Sequence, residues 1–140
     1  MAVFEFVLRV EPGEVRRTSL WLERSALEAG VPRDEVLRLD TCLNEVLANV
    51  IAHGGDCARS APARVVLETG PCEAAVTVVD HGLAFDPVSY VPAPRPATLE
   101  EAQPGGLGLV MLREYADGLE YERREGTNRL TFRIRWSAVA

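Results

Sequence analysis

The segment from Val36 to Ile51 constrains the fold more than any other part of the chain. Its apolar residues Val36, Leu39, Leu43, Val46, Leu47, Val50 and Ile51 step by three and four, the spacing that lines one face of an α-helix. Pro32 opens this helix and His53-Gly54-Gly55 stops it. A helix of about five turns with one apolar stripe must lay that stripe on a second layer.

The rest of the chain supplies the second layer. Val3 to Val10 is a β-rich run ended by Glu11-Pro12-Gly13, and Arg64–Thr69 and Ala74–Asp80 read as strands joined through a Gly70-Pro71 turn. Near the end, Leu130, Phe132, Ile134 and Trp136 alternate with Thr131, Arg133 and Arg135, the period of a strand with one buried face. A first helix is expected from Glu14 to Ala29 with Gly30 at its C-terminal cap, and a short one from Val110 to Ala116 closed by Gly118. The order strand, helix, helix, hairpin, long loop, helix, hairpin predicts an α/β (α+β) two-layer sandwich. Its helices cover one face of a mixed, mostly antiparallel sheet. The 140 residues read as a single domain.

Composition narrows the chemistry. Fifteen basic against 21 acidic residues give a net charge of −6, a field that repels phosphate backbones and argues against direct nucleic-acid binding. Every basic residue is arginine, which excludes a lysine Schiff base or a P-loop lysine. Cys42, Cys57 and Cys72 form no CxxC pair, and their odd number fits a reducing compartment. With no secretory signal pattern and no apolar run approaching the roughly 18 residues of a membrane span, the expected location is cytoplasmic, away from membranes.

Three short patterns carry the chemistry. Glu45, Asn49 and His53 recur at spacing four on the long helix and project from one stripe. A carboxylate one turn from an amide oxygen is suited to holding Mg²⁺ beside a triphosphate while the carboxylate accepts a proton; a plain solvated polar stripe is the alternative. Asp80-His81-Gly82 places an acid at a strand end, where it can accept a hydrogen bond from an exocyclic amine such as that of adenine. Gly82 would let a flat ring approach closely; an ordinary strand-ending turn has the same look. Finally Gly105-Gly106-Leu107-Gly108-Leu109 precedes a helix, where free N–H groups and the positive helix end attract anions. Between the last two patterns, residues 87–105 carry Pro87, Pro92, Pro94 and Pro96 and read as a lid.

Taken together, LNEVLANVIAHG, VVDHGLAFDP, GGLGLVML and GTNRLTFRI, in this order, resemble the N box, the two glycine boxes and the closing strand of the ATP-binding domain of the GHKL superfamily (the Bergerat fold). The likeness is greatest to the stand-alone bacterial anti-sigma serine kinases, the RsbW and SpoIIAB group. The resemblance implies ATP and Mg²⁺ as cofactors, with Asn49 as the Mg²⁺ ligand and Glu45 as general base toward the acceptor hydroxyl. It implies that Asp80 reads the adenine amine and Gly82 lines the ring pocket. Gly105, Gly106, Leu107, Gly108 and Leu109 then cradle phosphates, and Thr127 supports adenine. His53 matches a histidine common at that helix end, in a packing, capping or catalytic capacity.

The implied activity is that of an anti-sigma factor and ATP-dependent protein-serine kinase. It sequesters a sigma factor and phosphorylates a STAS-domain anti-anti-sigma antagonist, and it acts as a homodimer. One departure opens an alternative. Where the group often carries an arginine before the second glycine box, this chain has Gln103 and Pro104, leaving Arg95 and Arg113 as substitutes for phosphate charge. An ATP-gated anti-sigma binding module with little transfer is that alternative. A histidine-kinase catalytic fragment fits less well, because DHGLAFDP lacks the second glycine of the DxGxG form. Arg16-Arg17 and Arg123-Arg124 read as solvated faces, and Trp21 and Trp136 as core or interface anchors.

Overall fold

The computed structural model describes residues 1–88 and 106–138, and of 106–110 the backbone alone. Strand β1 (Ala2–Leu8) passes through a 3-10 turn, Pro12–Glu14, into helices α1 (Val15–Glu28), α2 (Arg33–His53) and the short α3 (Gly55–Arg59). The hairpin β2 (Ala63–Gly70) and β3 (Glu73–Asp80) follows, then α4 (Gly106–Tyr115) and the strands β4 (Gly118–Arg124) and β5 (Thr127–Arg135). The expected lid lies outside the described residues beyond Val88, as does Gly105.

Local chemistry sets the element ends. Gly30 stands at φ +89° just past α1, and the Gly30 and Val31 amides donate to Leu27 and Ala26 oxygens, the glycine C-cap expected there. Glu125 and Gly126, at φ +50° and +77°, form the two-residue link between β4 and β5, the left-handed pair that suits a tight hairpin.

The sheet runs in the order β1-β2-β3-β5-β4, and each of its four pairings is antiparallel. The parallel component of the expected mixed sheet is absent among the described residues. The helical excursion between β1 and β2 leaves and returns at one end of the sheet, with Leu8 opposite Ala63. That is antiparallel entry, whereas a single crossover helix would have given a parallel pair.

Two local expectations are corrected. α4 begins at Gly106 rather than at Val110, so the glycines form its first turn. Packing of the fully buried Leu112 outweighs the local cost of helical glycine, roughly 1 kcal/mol each. Gly118 opens β4 instead of capping α4. The short helix α3 begins at Gly55, one of the glycines expected only to stop α2.

One rank of side chains crosses the inner face of the sheet: Phe4 opposite Leu67, Leu67 opposite Val76, Val76 opposite Phe132, and Phe132 opposite Leu119. Against this face α2 buries Val36, Leu39, Leu43, Val46 and Leu47, the stripe read from sequence, together with Cys42 and Asn49. Trp21 belongs to this packing, stacked on Phe6 at 5.3 Å. On the outer face the Thr77 and Thr131 hydroxyls pair at 2.8 Å and Arg133 reaches Glu73 and Glu120, while Val3 and Val7 of β1 are exposed there. Such exposed ion pairs contribute less than about 1 kcal/mol each. Among the described residues no helix is long and apolar enough to cross a membrane.

Stability therefore rests on the inner rank. Phe132→Ala should cost about 3–5 kcal/mol in urea denaturation, a large share of the roughly 5–15 kcal/mol available to a domain. An effect under about 1 kcal/mol would mean that Phe132, 0% exposed, is not central to the core.

Candidate functional site

The apolar stripe of α2 faces β3 and β5, and this placement brings Asn49 over the end of β3, beside Asp80. Asn49, Asp80 and Asn128 line one cleft, walled by Val46, Val50, Leu83, Phe85 and Leu130. All three polar residues are buried.

Asp80 is held from two sides. Its Oδ1 accepts from the Gly82 amide at 2.8 Å and from Asn128 Nδ2 at 3.0 Å, which leaves Oδ2 as the carboxylate oxygen available to a ligand. Asn128 was not among the residues singled out by sequence. Its Nδ2 also donates to the Leu83 oxygen at 2.9 Å, while its Oδ1 accepts from Tyr121 at 2.5 Å and from Arg123 Nη1 at 3.0 Å. Arg123 Nη1 further reaches the Gly82 oxygen at 2.7 Å. Arg123 is thus a tether for the Asp80–Leu83 loop, a correction to its reading as a solvated charge. Arg124 does pair outward, with Glu122 at 2.8 Å.

A signal for Asn128 was present. Along β5 the buried positions are Asn128, Leu130, Phe132 and Ile134, so an asparagine stands in phase with the apolar face. Thr127 is out of phase; it sits at the hairpin turn, where its hydroxyl donates to the Arg124 oxygen at 2.7 Å, and it is not among the cleft residues.

Gly82 has a reason the sequence did not show. A Cβ there would stand 2.8 Å from Gly54 Cα and from Asp80 Oδ1, and 3.1 Å from Ala58 Cβ. The glycine lets the loop press against the α2–α3 corner, where the Leu83 amide donates to the Gly54 oxygen at 2.9 Å. His53 stacks on Phe85, with centroids 5.1 Å apart at 17°, and so props one wall of the cleft. That is a packing contact.

Asn49 carries an anomaly: its Nδ2 is buried with no hydrogen-bond partner among the described residues. A buried amide left unpaired costs about 1–3 kcal/mol, and such an orphan is a place where a water, an ion or a ligand can complete the bonding.

Glu45, one turn earlier, does not line this cleft. It opens into a neighbouring groove of about 330 Å³ between α2 and α4, with Asp40, Thr41, Asn44, Met111 and Tyr115. Burial pushes the Glu45 carboxyl above its ordinary value, and the nearby Asn49 amide opposes this in part. Burial also pushes the Cys42 thiol, on the groove floor, up to about 11, so it stays protonated.

Gly106, Leu107, Gly108 and Leu109 form the first turn of α4, whose initial N–H groups have no partner within the helix. Arg113 spends donors on the Pro87 oxygen, at 2.6 and 3.2 Å, and on the Val88 oxygen at 3.3 Å. Arg95 lies outside the described residues.

Asn128→Ala removes the donor that orients Asp80 and that holds the Leu83 oxygen. Nucleotide affinity should fall by about tenfold or more and stability by about 1–3 kcal/mol, read by fluorescent-nucleotide titration and urea melts. Thr127→Ala should change stability by no more than about 0.5 kcal/mol. Equal effects of the two variants would contradict the placement of Asn128 as the cleft residue.

With this geometry in place, comparison with known proteins is direct. The family model of the histidine kinase-like ATPase domain matches residues 8–134. The serine/threonine-protein kinase BtrW of Bordetella bronchiseptica is 33% identical over 111 residues, 79% of this chain and 78% of that protein. An anti-sigma F factor of Clostridium perfringens is 26% identical over 127 residues, 88% of each chain. Among solved structures, the RsbU and RsbW domains of Rv1364c from Mycobacterium tuberculosis match 99% of this chain and 34% of that longer one, with a TM-score of 0.69 at 14% identity. That last likeness is one of fold. The matched span takes in both the α2 stripe and the Asp80–Asn128 pair, and the chain belongs to the histidine kinase-like ATPase domain family.

Proposed function

We propose that this chain is an anti-sigma factor and ATP-dependent protein-serine kinase that sequesters a sigma factor and phosphorylates a STAS-domain anti-anti-sigma protein, acting in the cytoplasm as a homodimer. The observation that carries the reading is that Glu45 and Asn49, one turn apart on α2, open into two adjoining cavities. The relatives named as a serine/threonine-protein kinase and an anti-sigma F factor support the same activity.

ATP occupies the cleft with its adenine toward β3 and β5. Asp80 Oδ2 accepts from the exocyclic amine, and the Asn128 amide holds the carboxylate for that contact. The first-turn N–H groups of α4, Gly106 to Leu109, face the phosphates, with the positive end of the helix adding attraction. Mg²⁺ fits the donors present: the unpaired Asn49 amide can offer its oxygen, since the two ends of such a group exchange by rotation. No cluster of three or more His, Cys, Asp or Glu side chains competes among the described residues. A cation that shares phosphate oxygens needs only one or two protein ligands. When bound, Mg²⁺ supplies charge neutralisation at the phosphates.

Glu45 would take the proton from the acceptor serine as the serine oxygen bonds to the γ-phosphorus and the bond to the β–γ bridging oxygen breaks, with ADP as the leaving group. A carboxyl raised by burial is a better base near neutral pH than an ordinary glutamate. The engagement of Arg113 by the Pro87 and Val88 carbonyls favours, as a second reading, an ATP-gated anti-sigma module with slow transfer.

Thermal unfolding separates binding from chemistry. ATP at ~100 times its dissociation constant should stabilise the wild type by about 2.7 kcal/mol, a rise of several degrees that shrinks in EDTA. Asn49→Ala should lose the Mg²⁺-dependent part of the shift. Glu45→Ala should keep the ATP shift and lose transfer to a STAS-domain serine; transfer at the wild-type rate would remove Glu45 as the base.

The pH dependence has a definite sign. The active form is the carboxylate, so transfer falls as pH drops through the Glu45 value. That value is raised, so the acid limb of the rate profile should lie above the ordinary glutamate range near 4.5. A limb at or below that range would contradict the assignment.

A further inference from the structure

The α2–α4 groove lies apart from the cleft lined by Asp80 and Asn128. It contains no adenine-reading pair, and both Asp40 and Glu45 line it, charges that repel a triphosphate. Its α4 wall is apolar and open: Met111 and Tyr115 are each 41% exposed. The groove is also braced. Arg38 Nη2 donates to the Tyr115 oxygen at 2.6 Å, and Ser19 on α1 hydrogen-bonds Asp40.

We infer that this groove is the docking site for the serine-bearing segment of the acceptor protein, with the serine at Glu45 and an apolar side chain of the same segment against Met111 and Tyr115. This rests on the kinase reading above. Glu45 lines the groove, while Asn49, on the next turn of α2, lines the separate nucleotide cleft, so donor and acceptor approach the same stretch of α2 from two sides. In-line phosphoryl transfer requires such an arrangement.

The carboxylates of Asp40 and Glu45 in the groove disfavour acidic residues in the docked segment.

The test uses the whole chain with ATP and Mg²⁺ and a panel of recombinant STAS-domain proteins. Their binding is measured by calorimetry and their phosphorylation by radiolabel. Met111→Glu and Tyr115→Glu alter exposed side chains; Met111→Leu is the conservative control, and unchanged melting confirms folding. For a STAS protein that the wild type labels, each glutamate variant should raise the acceptor KM by about tenfold or more with kcat and nucleotide affinity unchanged, and Met111→Leu should restore wild-type behaviour. If the wild type binds a STAS protein without labelling it and the glutamate variants lose that binding, the docking site stands and the kinase reading falls. Acceptor KM and binding unchanged in both glutamate variants would overturn the docking site while leaving the kinase reading intact. Failure of the wild type to bind any panel member would overturn both. A change in oligomer mass by light scattering in the variants would overturn it in favour of a contact between two copies. A change in nucleotide affinity alone would overturn it in favour of the chain's own lid residues.

Discussion

Asp80 and Asn128 face each other across the β3–β5 ladder, and the nucleotide cleft depends on that one pairing. The Asn128 amide is filled at both ends, donating to Asp80 and the loop carbonyls and accepting from Tyr121 and Arg123. In a buried setting an amide so satisfied is rigid, because moving any partner leaves another unpaired. Side chains alternate faces along a strand, so a slip of one residue in β5 would bring Thr127 or Arg129 opposite Asp80 and turn Leu130, Phe132 and Ile134 to solvent. The core and the Asp80 carboxylate thus share one register.

The helix layer contributes through α2. One of its faces is bound to the sheet by Leu39, Leu43, Val46 and Leu47, which fixes the rotation of the helix and so the direction of Glu45 and Asn49. The fixed rotation has costs. Among the described residues Asn49 keeps a buried amide nitrogen without a partner, and Glu45 is a carboxylate partly removed from water. Neither helps the protein fold. Local violations of packing rules gather where a structure does its chemistry.

The loop between β3 and the lid joins the layers. Gly82 has no room for a side chain because Gly54 and Ala58 press on it from the α2–α3 corner, and the Gly54 oxygen accepts from Leu83. The end of α2 is thereby locked to the residues beside Asp80. His53, stacked on Phe85, adds an aromatic brace at the same corner. β3 and α2 are thus held as one unit at this corner.

Periodicity in the sequence determined the elements. Spacings of three and four marked the buried face of α2, strict alternation marked β5, and glycine and proline marked most ends, because these patterns follow from the local geometry of the backbone. The stripe of Glu45, Asn49 and His53 and the Asp80-His81-Gly82 turn were legible for the same reason. In the GTN run the residue that lines the cleft is Asn128, in phase with the apolar face, while Thr127 sits at the hairpin turn. Only tertiary structure decided that the sheet is antiparallel throughout its described strands, that Arg123 is a tether, and that α4 begins within the glycines. Only tertiary structure also decided that Glu45 and Asn49 open into different cavities. Those outcomes depend on which surfaces meet across long stretches of chain, and packing between distant residues overrides what neighbours in sequence prefer on their own.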